Sequence, residues 1–182
     1  MVKKIIICMF LCIQSSFLFA TTQMPDKFIY DGKEYNLLAI EFQNNFLNIY
    51  SLGIRPVMLH TACYRGYIAT FTINNNTLVL NQLYTNNGIN LNNEIPVING
   101  ILPRISTPDR LVKEYMDYRI FNYDDINLII EYTGYIIISL NSRENIREII
   151  KLNFINGELI NAQNITSQNL QGYNFINWFF EY

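Results

Sequence analysis

The sequence predicts a mainly β protein: a single antiparallel domain, either a sandwich or a strongly curved sheet, with one or two short helices. Three observations carry that expectation. Paired runs rich in aromatic and β-branched residues flank Asp31-Gly32, Asn75-Asn76 and Asn156-Gly157. Asp, Asn and Gly are the residues that accept the left-handed backbone angles of a two-residue hairpin turn. Helical spacing of apolar residues, by contrast, is clear at one place only.

The first hairpin joins Phe28-Ile29-Tyr30 to Lys33 through Ile40, and its two-residue loop sets Phe28 opposite Tyr35. In the second, Tyr67 to Asn74 and Thr77 to Thr85 flank Asn75-Asn76. That register opposes Ile73 to Leu78 and Phe71 to Leu80, placing four large apolar side chains on one face. Asn86 to Ser106, rich in Asn and holding two prolines, reads as a long irregular connection. Thr107-Pro108-Asp109 then opens a helix with Leu111, Val112, Tyr115 and Met116 along one side. Asp124-Asp125 reads as a turn before the run Ile126 to Glu131. Thr133-Gly134 separates that run from Tyr135 to Leu140, whose Ile136-Ile137-Ile138 is apolar on both faces, as in a covered central strand. Ser142 is expected to cap a single helical turn through Asn145. The third hairpin runs Ile149 to Ile155, Asn156-Gly157, Glu158 to Ile165, with Phe154 facing Leu159. It echoes the second hairpin, too briefly to be a repeat. At the C-terminus Ile176, Trp178, Phe180 and Tyr182 alternate, as in a terminal core strand. Outer-membrane barrels end in the same way, and eight strands of about ten residues would fit the length. The interior runs, however, lack the strict polar–apolar alternation of a lipid-facing wall.

Residues 1–20 have the layout of a secretory signal peptide: Lys3-Lys4, an uncharged apolar run from Ile5 to Ile13, and Ala20 at the cleavage point. The run is too short to span a bilayer. Residues 21–182 then form one domain, placed in the periplasm or secreted, and touching the membrane only through the cleaved leader. Without Lys3 and Lys4 the chain keeps eleven basic and fifteen acidic residues, a net charge of −4. That balance argues against nucleic-acid binding, which needs a basic face, and is compatible with a protein partner. Cys8 and Cys12 leave with the leader, and neither follows the small residues of a lipid-attachment site. Cys63 remains alone, so no intramolecular disulfide forms and stability rests on packing.

Chemistry-bearing residues concentrate in Pro56-Val57-Met58-Leu59-His60-Thr61-Ala62-Cys63-Tyr64-Arg65-Gly66-Tyr67. Cys63 with His60 as its base would make a thiol enzyme, assisted by Arg65. Yet positions three apart on a strand face opposite ways, and a lone free Cys is most often a buried small hydrophobe. Arg65 offers five fixed donors suited to a carboxylate. It is either a structural ion pair at the sheet margin or, with Tyr64 and Tyr67, a binding patch of the Arg-plus-aromatic composition found at interface hot spots. Asp124-Asp125 and Asp117/Arg119 fit turns better than acid–base or metal work, and no zinc or calcium spacing, phosphate loop or nucleophile elbow occurs. No catalytic residue, metal or cofactor is expected.

Met24-Pro25-Asp26-Lys27-Phe28-Ile29-Tyr30-Asp31-Gly32-Lys33-Glu34-Tyr35 resembles the opening of a group of small uncharacterised bacterial proteins. The resemblance continues through Thr61-Ala62-Cys63-Tyr64-Arg65-Gly66-Tyr67, where Tyr64 stands in place of an expected Trp, and through Tyr132-Thr133-Gly134 to the last Asn-Gly hairpin. It implies a domain start at Met24, with export added to a domain that also folds in the cytoplasm and needs no disulfide. It implies no activity.

The expectation is therefore an exported, non-enzymatic binding protein, in its sharpest form an immunity-type protein that masks a toxin in the periplasm. The alternatives are a small periplasmic hydrolase or thiol enzyme using Cys63, and an envelope or outer-membrane structural protein. N-terminal sequencing of protein from a periplasmic extract should find a new terminus near Thr21. Intact Met1, or a cytosolic form starting at Met24, would refute export.

Overall fold

The computed structural model describes residues 23–43, 46–86, 95–106, 119–142 and 145–166. The leader, the helix expected from Thr107 to Met116 and the aromatic alternation from Ile176 to Tyr182 lie outside them. Among the described residues ten strands occur in chain order: β1 (Lys27–Tyr30), β2 (Lys33–Ile40), β3 (Tyr67–Asn74), β4 (Thr77–Asn86), β5 (Arg104–Ser106), β6 (Ile120–Tyr123), β7 (Leu128–Ile129), β8 (Gly134–Ser142), β9 (Asn145–Ile155) and β10 (Glu158–Asn164). A short 3-10 turn, Ile49–Leu52, starts where the Asn48 side chain accepts from the Tyr50 and Ser51 amides.

The fold is mainly β, as the sequence predicts, but the sheet closes. Strands run β10-β9-β8-β2-β1-β3-β4, and β4 meets β10 again, making a seven-stranded barrel, with β6 and β7 added along β4 and β5 paired to β6. Only β1–β3 is parallel among these pairings. The three hairpins have the expected registers: Phe28↔Tyr35, Ile73↔Leu78 with Phe71↔Leu80, and Phe154↔Leu159. Each turn has the positive φ angles its residues were suited to, at Asp31, Gly32, Asn75, Asn76, Asn156 and Gly157.

Three local expectations are corrected. Ser142 begins no helical turn; it pairs with Asn145 at the end of the β8–β9 hairpin. The run Ile126 to Glu131 yields only the two-residue β7, because Asp125 and Asn127 take positive φ (55° and 49°) and bend the chain beside it. The connection after Asn86 ends in β5, paired to β6 through Ile105↔Phe121.

Alternation explains the core. Phe28, Leu37, Phe71, Leu78, Leu80, Ile136, Ile138, Leu152 and Phe154 point into the ring and are at most 2% exposed. Ile137, between two of these, joins Ala39 and Ile149 in a smaller cluster on the other face of the sheet, so β8 is buried on both sides as expected. The β2–β3 connection adds Phe46, Ile49 and Ile54 to the core. The Phe46 ring lies 4.8 Å from Phe71 and 5.1 Å from Tyr132, centroid to centroid. Tyr123 donates to the Pro96 carbonyl (2.9 Å), and burial pushes its hydroxyl pKa up to about 12.

The ring closes where two hairpin tips meet. Leu78 donates to the Gly157 carbonyl (2.7 Å), Leu159 to the Asn76 carbonyl (2.9 Å), and Gly157 to the Tyr132 carbonyl (2.8 Å). A Cβ on Gly157 would stand 2.5 Å from the Ile130 oxygen, whereas one on Gly32, with a similar positive φ, would meet nothing within 4 Å. Gly32→Ala should therefore cost about 1–2 kcal/mol, the left-handed backbone alone. Gly157→Ala should cost about 2–4 kcal/mol, since backbone must also shift to make room. Urea unfolding of both variants checks this; equal losses would mean the seam has slack.

Candidate functional site

The segment singled out in the sequence packs against the residues leading into β1. Its tight turn is closed by Cys63 donating to the His60 carbonyl (2.8 Å) and Leu59 donating to the Cys63 carbonyl (3.1 Å). Gly66 follows with φ +78°, and any Cβ there would collide with the Val57 carbonyl. Val57 is held in turn by Asn86, whose side chain accepts from the Val57 amide (2.8 Å) and donates to the Val57 carbonyl (2.7 Å). From the other direction, the Gln23 side chain accepts from the Tyr64 amide (2.9 Å) and donates to the Thr61 carbonyl (2.7 Å), while the Met24 amide donates to the Ala62 carbonyl (2.7 Å).

At the centre sits Asp26, 5% exposed. Arg65 grips it with both terminal nitrogens: Nη1 donates to Oδ2 at 2.9 Å and Nη2 to Oδ1. Oδ1 also accepts from the Ala69 amide (2.6 Å). The guanidinium lies over the Tyr67 ring, 4.5 Å from its centroid. Burial works against the Arg65 charge, but Asp26, together with Tyr67 and Cys63, outweighs it and holds the guanidinium above its ordinary pKa.

Arg65, Tyr64 and Tyr67 are thus neighbours without being one exposed patch. Arg65 is committed to Asp26 and Tyr67 is half-buried beneath it. Tyr64, 46% exposed, is the member that faces outward. Met24, Val57 and Met58, on the segments that these hydrogen bonds strap together, are each exposed by 38–39%.

Cys63 is a buried thiol, though in a turn rather than a strand. It is 1% exposed, and its Sγ–H points to the Tyr67 carbonyl at 3.4 Å. Burial raises its pKa, outweighing the opposite pull of Arg65. That disfavours the thiolate a nucleophile needs. His60 is exposed at the far end of the turn. Among the described residues no three His, Cys, Asp or Glu side chains gather to hold a metal. Asp124 accepts from Arg104 at 3.0 Å and 2.6 Å, an exposed surface pair, and Asp125 sits in the turn with positive φ. Asp117 lies outside the described residues.

Sequence reasoning missed Asp26, Gln23 and Asn86. Each is polar, local sequence offers nothing that ties it to a partner 29 to 41 residues away, and only the fold brings the pairs together.

Arg65→Ala should lower stability by about 3–5 kcal/mol, because it strands a buried carboxylate. Arg65→Lys should recover only part, lacking the two-pronged fit. Denaturant melts decide it: a loss below about 1 kcal/mol would show that the pair is dispensable.

No protein family, no curated protein and no solved structure matches this chain, so the site's geometry carries the functional argument.

Proposed function

We propose that this is an exported, non-enzymatic binding protein whose partner is another protein, in its sharpest form an immunity-type protein that masks a toxin in the periplasm. One observation carries the reading: Met24, Val57, Met58 and Tyr64 expose apolar surface on a frame pinned by the buried Asp26–Arg65 pair. Aromatic and Met side chains on a rigid backbone are the usual anchors of protein recognition, because little conformational freedom is lost on docking. Arg65 and Tyr67 serve this reading as supports that aim Tyr64.

The thiol-enzyme alternative draws little from the site, where the thiol is buried and its pKa raised. The envelope-barrel alternative fares no better. A lipid-spanning barrel turns apolar residues outward around a polar interior, whereas this ring is filled with Phe, Leu and Ile. The leader, rather than the barrel, is what points to export.

The test joins this chain to the product of the neighbouring gene. Periplasmic expression of that product alone should arrest growth, and co-expression of this chain should restore it through a stable complex. Tyr64→Ala should weaken the complex by about 2 kcal/mol or more, roughly thirtyfold, while leaving the melting temperature near wild type. Unchanged affinity in a folded Tyr64 variant would remove this surface from the reading. An inert neighbour that forms no complex would remove the immunity role.

A further inference from the structure

Among the described residues, the seam that closes the barrel also leaves part of β10 without a neighbouring strand. β10 touches β4 at one pair, Glu158↔Thr77. Beyond it β4 turns its edge to β7, through Val79↔Ile129 and Leu80↔Leu128, and then to β6. A bulge between Leu159 and Asn161 carries β10 away along β9. From there the register is regular: Asn161↔Asn153, Ala162↔Leu152, Gln163↔Lys151, Asn164↔Ile150. The Ile165 amide donates to the Ile149 carbonyl (2.9 Å), which fixes the alternation. Residues 161, 163 and 165 turn their backbone polar groups toward β9, so Ala162 and Asn164 turn theirs outward. All residues from Ile160 to Asn164 are exposed, Ile160 by 56%.

Natural sheets guard such edges with charge, proline or cover, since a bare edge is a template for another strand. Ile160-Asn161-Ala162-Gln163-Asn164 carries no charge and no proline. It is also self-complementary. Pairing with its own copy about a two-fold axis at Ala162 sets Ala162 opposite Ala162, and Asn161 of one copy opposite Gln163 of the other. Two side-chain amides then meet on the face that also carries Lys151, and outward-facing N–H and C=O groups exchange hydrogen bonds across the axis. No charge within the paired stretch meets its like, and the interface closes on itself as a dimer instead of propagating.

We propose that the free edge of β10 pairs antiparallel with the β10 edge of a second copy of this chain, with the two-fold axis at Ala162. The proposal is independent of the partner-binding reading, which uses residues elsewhere in the chain.

Because the axis passes through one residue, charge at that residue meets itself. Sedimentation of the exported chain should show a monomer–dimer equilibrium that shifts toward dimer as concentration rises from micromolar to millimolar. Ala162→Lys and Ala162→Glu should each be monomeric where wild type is dimeric, with melting temperatures close to wild type, because the side chain is exposed and its amide has no partner among the described residues. An equimolar mixture of the two variants should recover the dimer. Wild-type hydrogen exchange gives a reading independent of mutation: the Ala162 and Asn164 amides should slow with concentration, while neighbours bonded to β9 stay constant. A chain monomeric at every concentration would overturn the proposal and leave the edge to a strand of a different partner. A dimer indifferent to both variants, or a mixture that stays monomeric, would overturn it equally.

Discussion

The ion pair between Asp26 and Arg65 is the constraint from which the rest of the architecture follows. Asp26 immediately precedes β1 and Arg65 stands two residues before β3, the two strands that form the parallel pair. No tight turn can set the register of parallel neighbours, because a crossover of many residues separates them. Asp26 supplies what the turn cannot. Its carboxylate accepts from Arg65 and the Ala69 amide, and its backbone carbonyl accepts from the Leu37 amide on β2 (2.9 Å). Lys27↔Thr70 and Phe28↔Phe71 follow from that anchor. A buried ion pair is weak evidence of net stabilisation, since desolvating both charges offsets much of their attraction. Its contribution here is to select one alignment: a slip by one residue would bury the carboxylate without its donors and turn Phe28 out of the core.

What was legible in the sequence was what is local. The three hairpins and the pairs nearest their tips could be read because a two-residue turn sets the register until a bulge shifts it, as between Thr70 and Phe71 and between Leu159 and Asn161; the two-sided burial of Ile136-Ile137-Ile138 could be read from its unbroken apolar run. The abundance of asparagine, easily taken for compositional drift, is partly structural: Asn75, Asn76, Asn99, Asn127 and Asn156 all take positive φ. Closure was not legible. Whether such a sheet wraps or stacks depends on Thr77 reaching Glu158, a contact that no periodicity encodes. Ser142 misled because a Ser before a polar stretch signals a helix cap and a hairpin end alike.

The same division holds at the site. The stretch from Cys63 to Tyr67 announced itself by composition, and the burial of the thiol followed from the ordinary behaviour of a free Cys. The roles within the stretch depended on Asp26. Once that carboxylate is in place, Arg65 is the pin and Tyr64 the exposed side chain, which inverts the emphasis that composition alone suggests. Rigidity and exposure are divided between adjacent residues, and Gly66, pressed against the Val57 carbonyl, makes the division sterically possible.

Closure at two hairpin tips has a consequence for how the protein assembles. The hairpins are built from near neighbours in the chain and form on the microsecond scale of such elements. The seam joins Asn76 to Leu159 across 83 positions, and few of its hydrogen bonds form before the ends have been brought together. Contacts of that span dominate the folding times of β proteins. The rate-limiting event is thus expected to be the meeting of the tips, with the Asp26 anchor deciding beforehand which way the ribbon curls. Until they meet, β4 and β10 both carry bare edges, and a nascent chain is most open to capture by its neighbours during that interval.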